Sequence, residues 1–286
     1  VEIAEGDRTD RASLSRAAKG CDALFHVAAD YRLWAPDPQE IIDNNVRGTR
    51  DVILAAAEAG AKRMVYTSSV AVLGKVKSGE SSDEETPVTV KDIIGAYKTS
   101  KFLAEKEVDK LIAAHKLDCV IVNPSTPIGP RDIKPTPTGR MVVETARGRM
   151  PVIVDTGLNI VHVDDVAEGH MLAFDKGKAG RRYVLAGENM TLRQITEIIS
   201  KFAGRKPPRI SMPQDVLMPF AYIAEWWANH VSGKEPMTTV DGINQSRRKM
   251  YFKSDRAIKE LGYTPRPAVD ALRDAVEWFK ANGYVK

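Results

Sequence analysis

The amino-acid sequence predicts an α/β fold in which a parallel sheet is covered by helices on both faces. Short runs that are apolar almost throughout, such as 22–29 and the first part of 117–130, are typical of fully buried strands. Segments with apolar residues at helical spacing, such as 38–60, follow or separate these runs. Buried strands that alternate with helices indicate a parallel sheet.

The predicted elements alternate along the first half of the chain. Three runs predict strands, at 22–29, 62–69 and 117–130, and the last of them continues into a loop rich in Pro and Gly. Two segments predict helices, at 38–60 and 95–116. Gly60 ends the first helix, because glycine readily adopts the conformation that closes a helix. The opening residues VEIAEGDRTD are typical of the tail of a strand that runs into a turn.

The pattern loosens after Pro130, where loops and short helices alternate with further strands. The segment NIVHVDDVAEGHMLAFDKG predicts a strand and then a helix capped by Asp164 or Asp165. The segment TLRQITEIISKFAG predicts a helix with Thr191 as its cap and Gly204 as its stop. We therefore expect a smaller C-terminal part that differs in construction from the sheet.

Composition excludes some classes of partner and site. The 286 residues carry 42 basic and 38 acidic side chains, spread without a basic block, which argues against nucleic-acid binding. Cys21 and Cys119 lie in apolar runs, so we expect two buried thiols in a reducing, cytoplasmic compartment. No apolar run reaches the ~18 residues of a membrane span. The five histidines show no metal-ligand spacing, so no metal site is expected.

The helix predicted at 95–116 carries a Tyr and a Lys close together near its start. Tyr97 and Lys101 are four residues apart, and positions 104, 108 and 111 continue the same face with Ala, Val and Leu. The pair is therefore expected on the buried stripe, with charged residues on the solvent face: Glu105, Lys106, Asp109 and Lys110. A buried lysine requires a polar partner or a ligand, because an unpaired buried charge is costly.

A serine at the end of a predicted strand adds a third candidate catalytic group to this Tyr and Lys. A tyrosine has a pKa near ~10, and a neighbouring ammonium lowers the pKa by stabilising the phenolate. Ser68 and Ser69 end the strand 62–69, where parallel sheets place their sites. Each signal alone is weak, but their order and their separation of about 30 residues favour a catalytic Ser, Tyr and Lys.

These residues resemble the catalytic triad of the short-chain dehydrogenase/reductase superfamily. Other segments resemble its extended branch of NAD(P)-dependent sugar-nucleotide epimerases and dihydroflavonol-reductase-like enzymes: EGDRTD, HVAA, NNVRGT, IVNPSTPIGP, VHVDDVA and SDRAIKELGYTPR. The longer strings ADYRLWAPDP, NPSTPIGPRDIKPTPTGR and RRKMYF are similar to the bacterial hopanoid-associated sugar epimerases.

The resemblance implies a Rossmann-type doubly wound sheet that binds NAD or NADP, with a small C-terminal substrate domain. It places residues 1–130 and 159–187 in the cofactor domain and residues 131–158 and 188–286 in the substrate domain. Tyr97 would be the general acid/base, Lys101 its partner and ribose anchor, and Ser69 would bind the reacting oxygen. Further cofactor contacts are implied for Asp7, Arg8, Ala28, Ala29, Tyr31, Asn45, Ser68, Asn123, Pro124 and Ser125.

Two features depart from the family pattern. The Gly-rich turn that holds the pyrophosphate is missing, as is the strand whose end selects NAD or NADP. We therefore expect at least one βαβ unit before Val1 and treat the chain as a fragment. The Arg that usually precedes the His-Val-Asp-Asp signature is replaced by Leu158 and Asn159, although Arg140, Arg147 or Arg149 could substitute.

The leading functional prediction is an NAD(P)-dependent epimerase of a sugar or sugar nucleotide, with a role in hopanoid biosynthesis. The alternatives are an NADPH-dependent carbonyl reductase and a catalytically silent nucleotide-binding protein. A dehydratase is disfavoured, because Thr67, Ser68 and Ser69 stand where dehydratases carry an acid pair. A small-molecule substrate and a homodimer are expected.

One apolar segment remains outside these motifs. DVLMPFAYIAEWWANHV (215–231) predicts a Trp-rich helix, and the leading interpretation is packing in the substrate-domain core or in a dimer. The alternative is an exposed surface that makes peripheral membrane contact or meets a lipid-like substrate. Glu225 is expected to interrupt the apolar stripe, which weakens this alternative.

Overall fold

The structure is a computed structural model that describes residues 2–32, 35, 37–74, 76, 80–88, 93, 95–233 and 239–285. Its helices are α1 (Arg11–Ala18), α2 (Pro38–Glu58), α3 (Ala96–His115), α4 (Pro137–Ala146), α5 (Val163–Lys176), α6 (Leu192–Ala203), α7 (Gln214–Trp227), α8 (Val240–Ser246), α9 (Asp255–Leu261) and α10 (Ala268–Ala281). Its strands are β1 (Ala23–His26), β2 (Arg63–Thr67), β3 (Cys119–Pro124), β4 (Thr126–Ile128), β5 (Val152–Ile153), β6 (Gly157–His162), β7 (Arg182–Leu185), β8 (Glu188–Thr191) and β9 (Ile210–Ser211).

The predicted α/β fold with a parallel sheet is confirmed. The largest sheet has the order β1-β2-β3-β7, and both β1 with β2 and β2 with β3 are parallel. A second sheet, β4-β6-β8, combines a parallel and an antiparallel pair, and β5 pairs with β9 in a short parallel ribbon. Among the residues that the structure describes, no helix is both long enough and apolar enough to cross a membrane.

The chain divides into two compact units. The first unit comprises Val1–Gly74, Pro87–Asn123 and His170–Tyr183, and the second comprises Lys75–Thr86, Pro124–Gly169 and Val184–Lys286. Segments 75–86, 124–130, 159–169 and 184–187, which were predicted to belong to the cofactor domain, group with the second unit. They include β4 and most of β6, which pair with each other outside the four-stranded sheet. The assignment of cofactor and substrate domains stays a prediction.

In the first unit, helices cover both faces of the four-stranded sheet. On one face, α2 and α3 pack on side chains that alternate along the strands, including Met64, Tyr66 and Ile121. On the other face, Phe25 of β1 lies 5.2 Å from Phe174 of α5, measured between ring centroids. A Cβ on Gly177, just after α5, would lie 2.8 Å from a methyl group of Val120, so this crossing requires glycine.

In the second unit, a separate apolar core forms around α4, α6 and α10. Ile195 and Ile199 of α6 pack with Leu272 and Val276 of α10, and all four side chains are fully buried. Thr191 caps α6 through a reciprocal pair of hydrogen bonds with Gln194, and Gly204 ends it in a left-handed conformation at φ 68°. The predicted ends of this helix are therefore confirmed.

Several local expectations are wrong. Cys119 is buried as expected, but Cys21 is exposed, because it lies in the turn between α1 and β1. The opening residues 2–7 carry no regular secondary structure in place of the expected end of a strand. Helix α5 already begins at Val163, so Asp164 and Asp165 lie in its first turn rather than before it. Of the string ADYRLWAPDP, Leu33, Trp34 and Pro36 lie outside the described residues.

We expect His26→Gln to make the free energy of unfolding depend less on pH on the acid side of neutrality. Burial, followed by the charges of Lys101 and Arg8, lowers the pKa of His26 to about 4. The unfolded chain, with an imidazole pKa near ~6.5, therefore binds more protons than the folded chain between these values. The contribution of neutral His26 to the free energy of unfolding is fully present above pH ~6.5. It falls by about 3 kcal/mol as the pH decreases towards about 4. Urea unfolding at several pH values measures it.

Glutamine can keep the hydrogen bond that His26 Nε2 shares with Thr49 Oγ1 at 3.1 Å, so the variant tests charge more than packing. His115→Gln, at the exposed end of α3, is the matched control and should follow the wild-type profile. If the free energy of unfolding of His26→Gln and of the wild type changed equally with pH, His26 would not be the group whose protonation destabilises the protein in acid.

Candidate active site

The helix α3 carries Tyr97 and Lys101 from its first turns into the interior of the first unit. It begins after Gly95, whose φ of 89° lies in the region that favours glycine. Tyr97 is half-buried, and Lys101 is only 4% exposed. The predicted burial of Lys101 on this helix is confirmed.

The Lys101 ammonium has two partners at the end of β2. Its Nζ donates a hydrogen bond to the Thr67 carbonyl at 2.7 Å and lies 5.0 Å from the centroid of the Tyr66 ring. Burial nevertheless lowers the pKa of Lys101 to about 8, while the Glu105 carboxylate acts to raise it. The ammonium is therefore protonated at neutral pH, but it loses its proton more easily than an exposed lysine.

Ser69 joins the end of β2 to Tyr97. Its Oγ accepts a hydrogen bond from Ala71 N at 3.1 Å and so caps the short 3₁₀ helix Val70–Val72. Ser69 also hydrogen-bonds the Tyr97 side chain and acts to lower the pKa of Tyr97. The structure thus brings the three predicted catalytic side chains to one strand end and one helix of the same unit.

The pKa of Tyr97 departs from the sequence-based expectation. Burial raises the pKa of Tyr97, and the hydrogen bond from Ser69 opposes this effect without reversing it. The expectation that Lys101 produces a net lowering is wrong for this structure, because the ammonium is directed at the Thr67 carbonyl and the Tyr66 ring. At neutral pH the Tyr97 hydroxyl is protonated and can donate a proton.

Glu105 is a buried member of this site, although the helical periodicity predicted it on the solvent face of α3. It is 5% exposed, and its Oε1 accepts a hydrogen bond from Arg182 Nε at 2.6 Å. Its Oε2 accepts one from Asn123 Nδ2 at 3.0 Å, and the same amide donates to the Ser69 carbonyl at 3.1 Å. Glu105 therefore connects α3 with the backbone of Ser69. Its position one helical turn beyond Lys101 was the signal that could have identified it.

Asn45 of α2 holds the other side of α3. Its Nδ2 donates to the Asp30 carbonyl at 2.9 Å and to Ser100 Oγ at 2.7 Å, and its Oδ1 accepts from Asp30 N at 2.7 Å. Because Ser100 lies between Tyr97 and Lys101, this buried amide fixes this turn of α3 against the loop after β1. The predicted role of holding the active-site helix fits this geometry.

The residues predicted to bracket the adenine lie near this loop. Asp7 accepts hydrogen bonds from the Thr9 backbone and hydroxyl, which lower the pKa of Asp7. Arg8 donates to Asn45 Oδ1 at 3.3 Å and lies 3.8 Å from the Asp30 carboxylate. Three further predicted contacts follow β1 along the chain, where Ala29 is half-buried and Ala28 and Tyr31 are exposed.

Polar atoms at the ends of β2 and β3 fit a polar ligand. Ser68 Oγ and Asn123 Oδ1 are buried and have no hydrogen-bond partner within the structure. Both lie where parallel α/β sheets place their ligands, at the carboxyl ends of strands. The hydroxyl and amide groups of a dinucleotide could satisfy them, so the residues present fit an NAD(P) cofactor. In the second unit, Pro124 is buried, and Ser125 N donates to the Leu185 carbonyl at 3.1 Å.

The sequence matches a known family and curated relatives over long stretches. The model of the NAD dependent epimerase/dehydratase family matches residues 1–186. A putative dihydroflavonol 4-reductase from Synechocystis is 44% identical over 291 residues, which cover 100% of this chain and 84% of that protein. Sterol demethylase protein B from Methylococcus capsulatus is 33% identical and is covered to 87% of its length by the whole of this chain.

Solved structures share the fold. The crystal structure of gox2253 superposes with a TM-score of 0.88 at 52% identity, over 100% of this chain and 86% of that chain. PA4631, a nucleoside-diphosphate-sugar epimerase from Pseudomonas aeruginosa, gives a TM-score of 0.79 at 22% identity, over 98% of this chain and 83% of that chain. The second similarity concerns the fold alone.

We expect Glu105→Gln to shift the alkaline limit of NAD(P) binding to lower pH. If the Lys101 ammonium holds the cofactor, affinity should fall as the pH rises through about 8, where Lys101 loses its proton. Removing the Glu105 charge removes the influence that raises the pKa of Lys101, so this fall should begin at lower pH. Fluorescence titration with NADPH between pH 6 and ~10 measures the shift.

The matched control is Asp109→Asn on the same helix. Asp109 Oδ2 also accepts from Arg182, at 2.6 Å, but Asp109 does not contribute to the pKa of Lys101. This variant should keep the wild-type pH midpoint even if its stability falls. An unchanged midpoint in Glu105→Gln, or an equal shift in both variants, would show that Glu105 acts only by supporting the fold.

Proposed function

Because this chain belongs to the NAD dependent epimerase/dehydratase family, we propose that it moves a hydride between NAD(P) and a carbinol or carbonyl carbon of a small-molecule substrate. The observation that carries the proposal is the convergence of Ser69, Tyr97 and Lys101. Their side chains come from one strand end and one helix of the first unit, and each has the environment that its proposed role needs.

The proposed mechanism assigns one task to each side chain. A bound dinucleotide would supply or accept the hydride. Tyr97 gives its hydroxyl proton to the substrate oxygen during reduction and takes it back during oxidation. Ser69 donates a hydrogen bond to the same oxygen. Lys101 orients the ribose through its ammonium, which the Thr67 carbonyl and the Tyr66 ring hold in place.

Net reduction of a carbonyl is the direction that we rank first. Burial raises the pKa of Tyr97, so at neutral pH this residue is a proton donor, as reduction requires. Curated relatives with reductase names support this ranking, including the putative dihydroflavonol 4-reductase and, at 26% identity, a cinnamoyl-CoA reductase from Petunia hybrida. This order reverses the one that the sequence alone favoured.

The second candidate is the epimerase reaction on a sugar or sugar nucleotide. The strings that resemble hopanoid-associated sugar epimerases support it, and the similarity to sterol demethylase protein B agrees with a polycyclic lipid pathway. Asn159 weighs against a nucleotide sugar. It stands in the segment where related enzymes carry an Arg, and its fully buried amide binds the Gly187 and Phe252 carbonyls and Asn189.

Other parts of the functional prediction stay predictions. We propose a homodimer and a cytoplasmic location on the resemblance alone. A catalytically silent nucleotide-binding protein is disfavoured, because the Ser, Tyr and Lys side chains are all present and close to one another.

We expect Tyr97→Phe to lower kcat by at least about a hundredfold, since removing a general acid typically costs this much. The variant keeps the aromatic ring, so NADPH affinity should change by less than about threefold. Stopped-flow and steady-state rates with a panel of aromatic and alicyclic ketones measure the loss. Tyr222→Phe, on an exposed tyrosine of the second unit, is the control. Full activity in Tyr97→Phe would exclude the proposed acid/base role.

Cofactor balance should separate the two reactions. For the reductase, we expect one NADPH to be consumed for each product molecule formed. For the epimerase, product should accumulate with no net change in absorbance at the NADPH band, because the hydride returns to the substrate. Product formation with constant NADPH would overturn our ranking but leave the roles of Ser69, Tyr97 and Lys101 intact.

A further inference from the structure

Thr67 at the end of β2 makes two polar contacts, one through its backbone and one through its side chain. Its carbonyl accepts the hydrogen bond from Lys101 Nζ at 2.7 Å. Its Oγ1 lies 2.8 Å from Nε2 of His170, a residue of α5. Thr67, Lys101 and His170 all belong to the first unit, so both contacts are parts of one compact structure.

The two contacts reach Thr67 from opposite faces of the sheet. The side chain of Tyr66 packs with α2 and α3, and successive side chains of a strand point to opposite faces, so the Thr67 side chain points towards α5. His170 meets it there with only 7% of its surface exposed. An imidazole and a hydroxyl can each donate or accept, so either tautomer of His170 can form this hydrogen bond.

The Thr67 carbonyl lies where the pairing of β2 with β1 stops. The backbone N–H groups of Met64 and Ser68 donate to β3, and the peptide groups along a parallel strand alternate between its two neighbours. Thr67 therefore directs its carbonyl towards β1, whose pairing with β2 ends at His26. Because the ladder has ended there, the side-chain contact with His170 helps to fix the orientation of this peptide group.

The direction of this carbonyl matters because the Lys101 ammonium is buried. Burial lowers the pKa of Lys101 to about 8, since a buried charge loses its hydration. Three other groups interact with this ammonium, one from each neighbouring element: Glu105 of α3, Tyr66 of β2 and His26 of β1. The Thr67 carbonyl accepts its hydrogen bond, so a change in the direction of this carbonyl acts directly on the protonated form of Lys101.

We propose that His170 is a positioning residue for the Lys101 ammonium. It holds the Thr67 hydroxyl, and through it the Thr67 peptide group, so that the carbonyl points at Lys101 Nζ. His170 acts from the far side of the sheet and only through Thr67. The inference concerns the protein without cofactor, and only its consequence for NADPH binding rests on the proposed function.

NMR titration of the lysine side chains tests this role on the full chain without cofactor. The ε-methylene signal of Lys101 in isotope-labelled protein is identified by its loss in Lys101→Met. We expect this signal to titrate at about pH 8 in the wild type. His170→Leu should lower the midpoint by about 0.5 to 1 pH unit, because the ammonium loses part of the hydrogen bond that favours it. Thr67→Val, which removes only the hydroxyl, should have the same effect and gives a second measurement if leucine is not accommodated.

Conservative variants and a matched control separate positioning from packing. His170→Gln and Thr67→Ser each keep a group that can form the hydrogen bond, so both should titrate close to the wild type. His162 of the second unit is also buried, at 1% exposure, and lies 3.2 Å from Asp274 through Nε2. His162→Leu should therefore lower the stability but leave the Lys101 midpoint unchanged. Thr67→Val/His170→Leu should titrate like either single variant, because both changes remove one contact.

If Lys101 anchors the ribose, the same variants should change NADPH affinity in a pH-dependent way. With the expected midpoints, His170→Leu should bind NADPH about two- to fivefold more weakly than the wild type at pH 8, where fewer of its Lys101 side chains are protonated. At pH 6 the two proteins should bind equally well, because Lys101 is protonated in both. Fluorescence titration measures the affinities.

Three results would overturn the inference: an unchanged Lys101 midpoint in His170→Leu, an equal fall in His162→Leu, or falls that add in the double variant. The second result would show that lost stability, and not the lost contact, alters the titration. A lowered midpoint together with an NADPH affinity that does not depend on pH would support the role of His170 and contradict the proposed ribose anchor.

Discussion

The burial of the Lys101 ammonium is the constraint on which the first unit depends. An ammonium that is 4% exposed has lost most of its hydration, and the fall of its pKa to about 8 reflects that cost. Two compensating groups, the Thr67 carbonyl and the Tyr66 ring, come from β2, and the third, Glu105, comes from α3 itself. The charge is tolerated only while α3 keeps its position along the end of β2, so folding stability and the proposed catalytic geometry place the same requirement on this helix.

Each compensating group creates a requirement of its own. A buried carboxylate at Glu105 needs donors, and Arg182 and Asn123 provide them from β7 and β3. The Asn123 side-chain amide has a second N–H donor, which it donates to the Ser69 carbonyl. Satisfying the lysine therefore determines the position of the serine through a chain of three hydrogen-bonded groups. These buried polar contacts tie the backbone of Ser69 to the helix that carries Tyr97.

The sequence predicted the parts of this arrangement that depend on local periodicity. Helical spacing placed Lys101 on the buried stripe, and capping chemistry located both ends of α6. The sequence-based prediction failed for Glu105, because an argument from helical periodicity assigns acidic residues to the solvent face. The partner that allows its burial, Arg182, lies 77 residues further along the chain. The prediction failed for α7 for the converse reason. The large apolar residues of α7 were expected in the substrate-domain core or in a dimer, and the small residues Ala221 and Ala228 are the ones that face the core. Packing of this helix in a dimer stays a prediction.

The two titrating groups of the site also limit the pH at which it can work. The Lys101 ammonium loses its proton as the pH rises through about 8, so a cofactor contact that needs this charge weakens above that pH. Burial keeps Tyr97 protonated well beyond that point. Between neutrality and pH 8, both side chains therefore carry their protons, which suits proton donation to a carbonyl oxygen. The order in which these two groups titrate therefore agrees with the reductive direction that we propose.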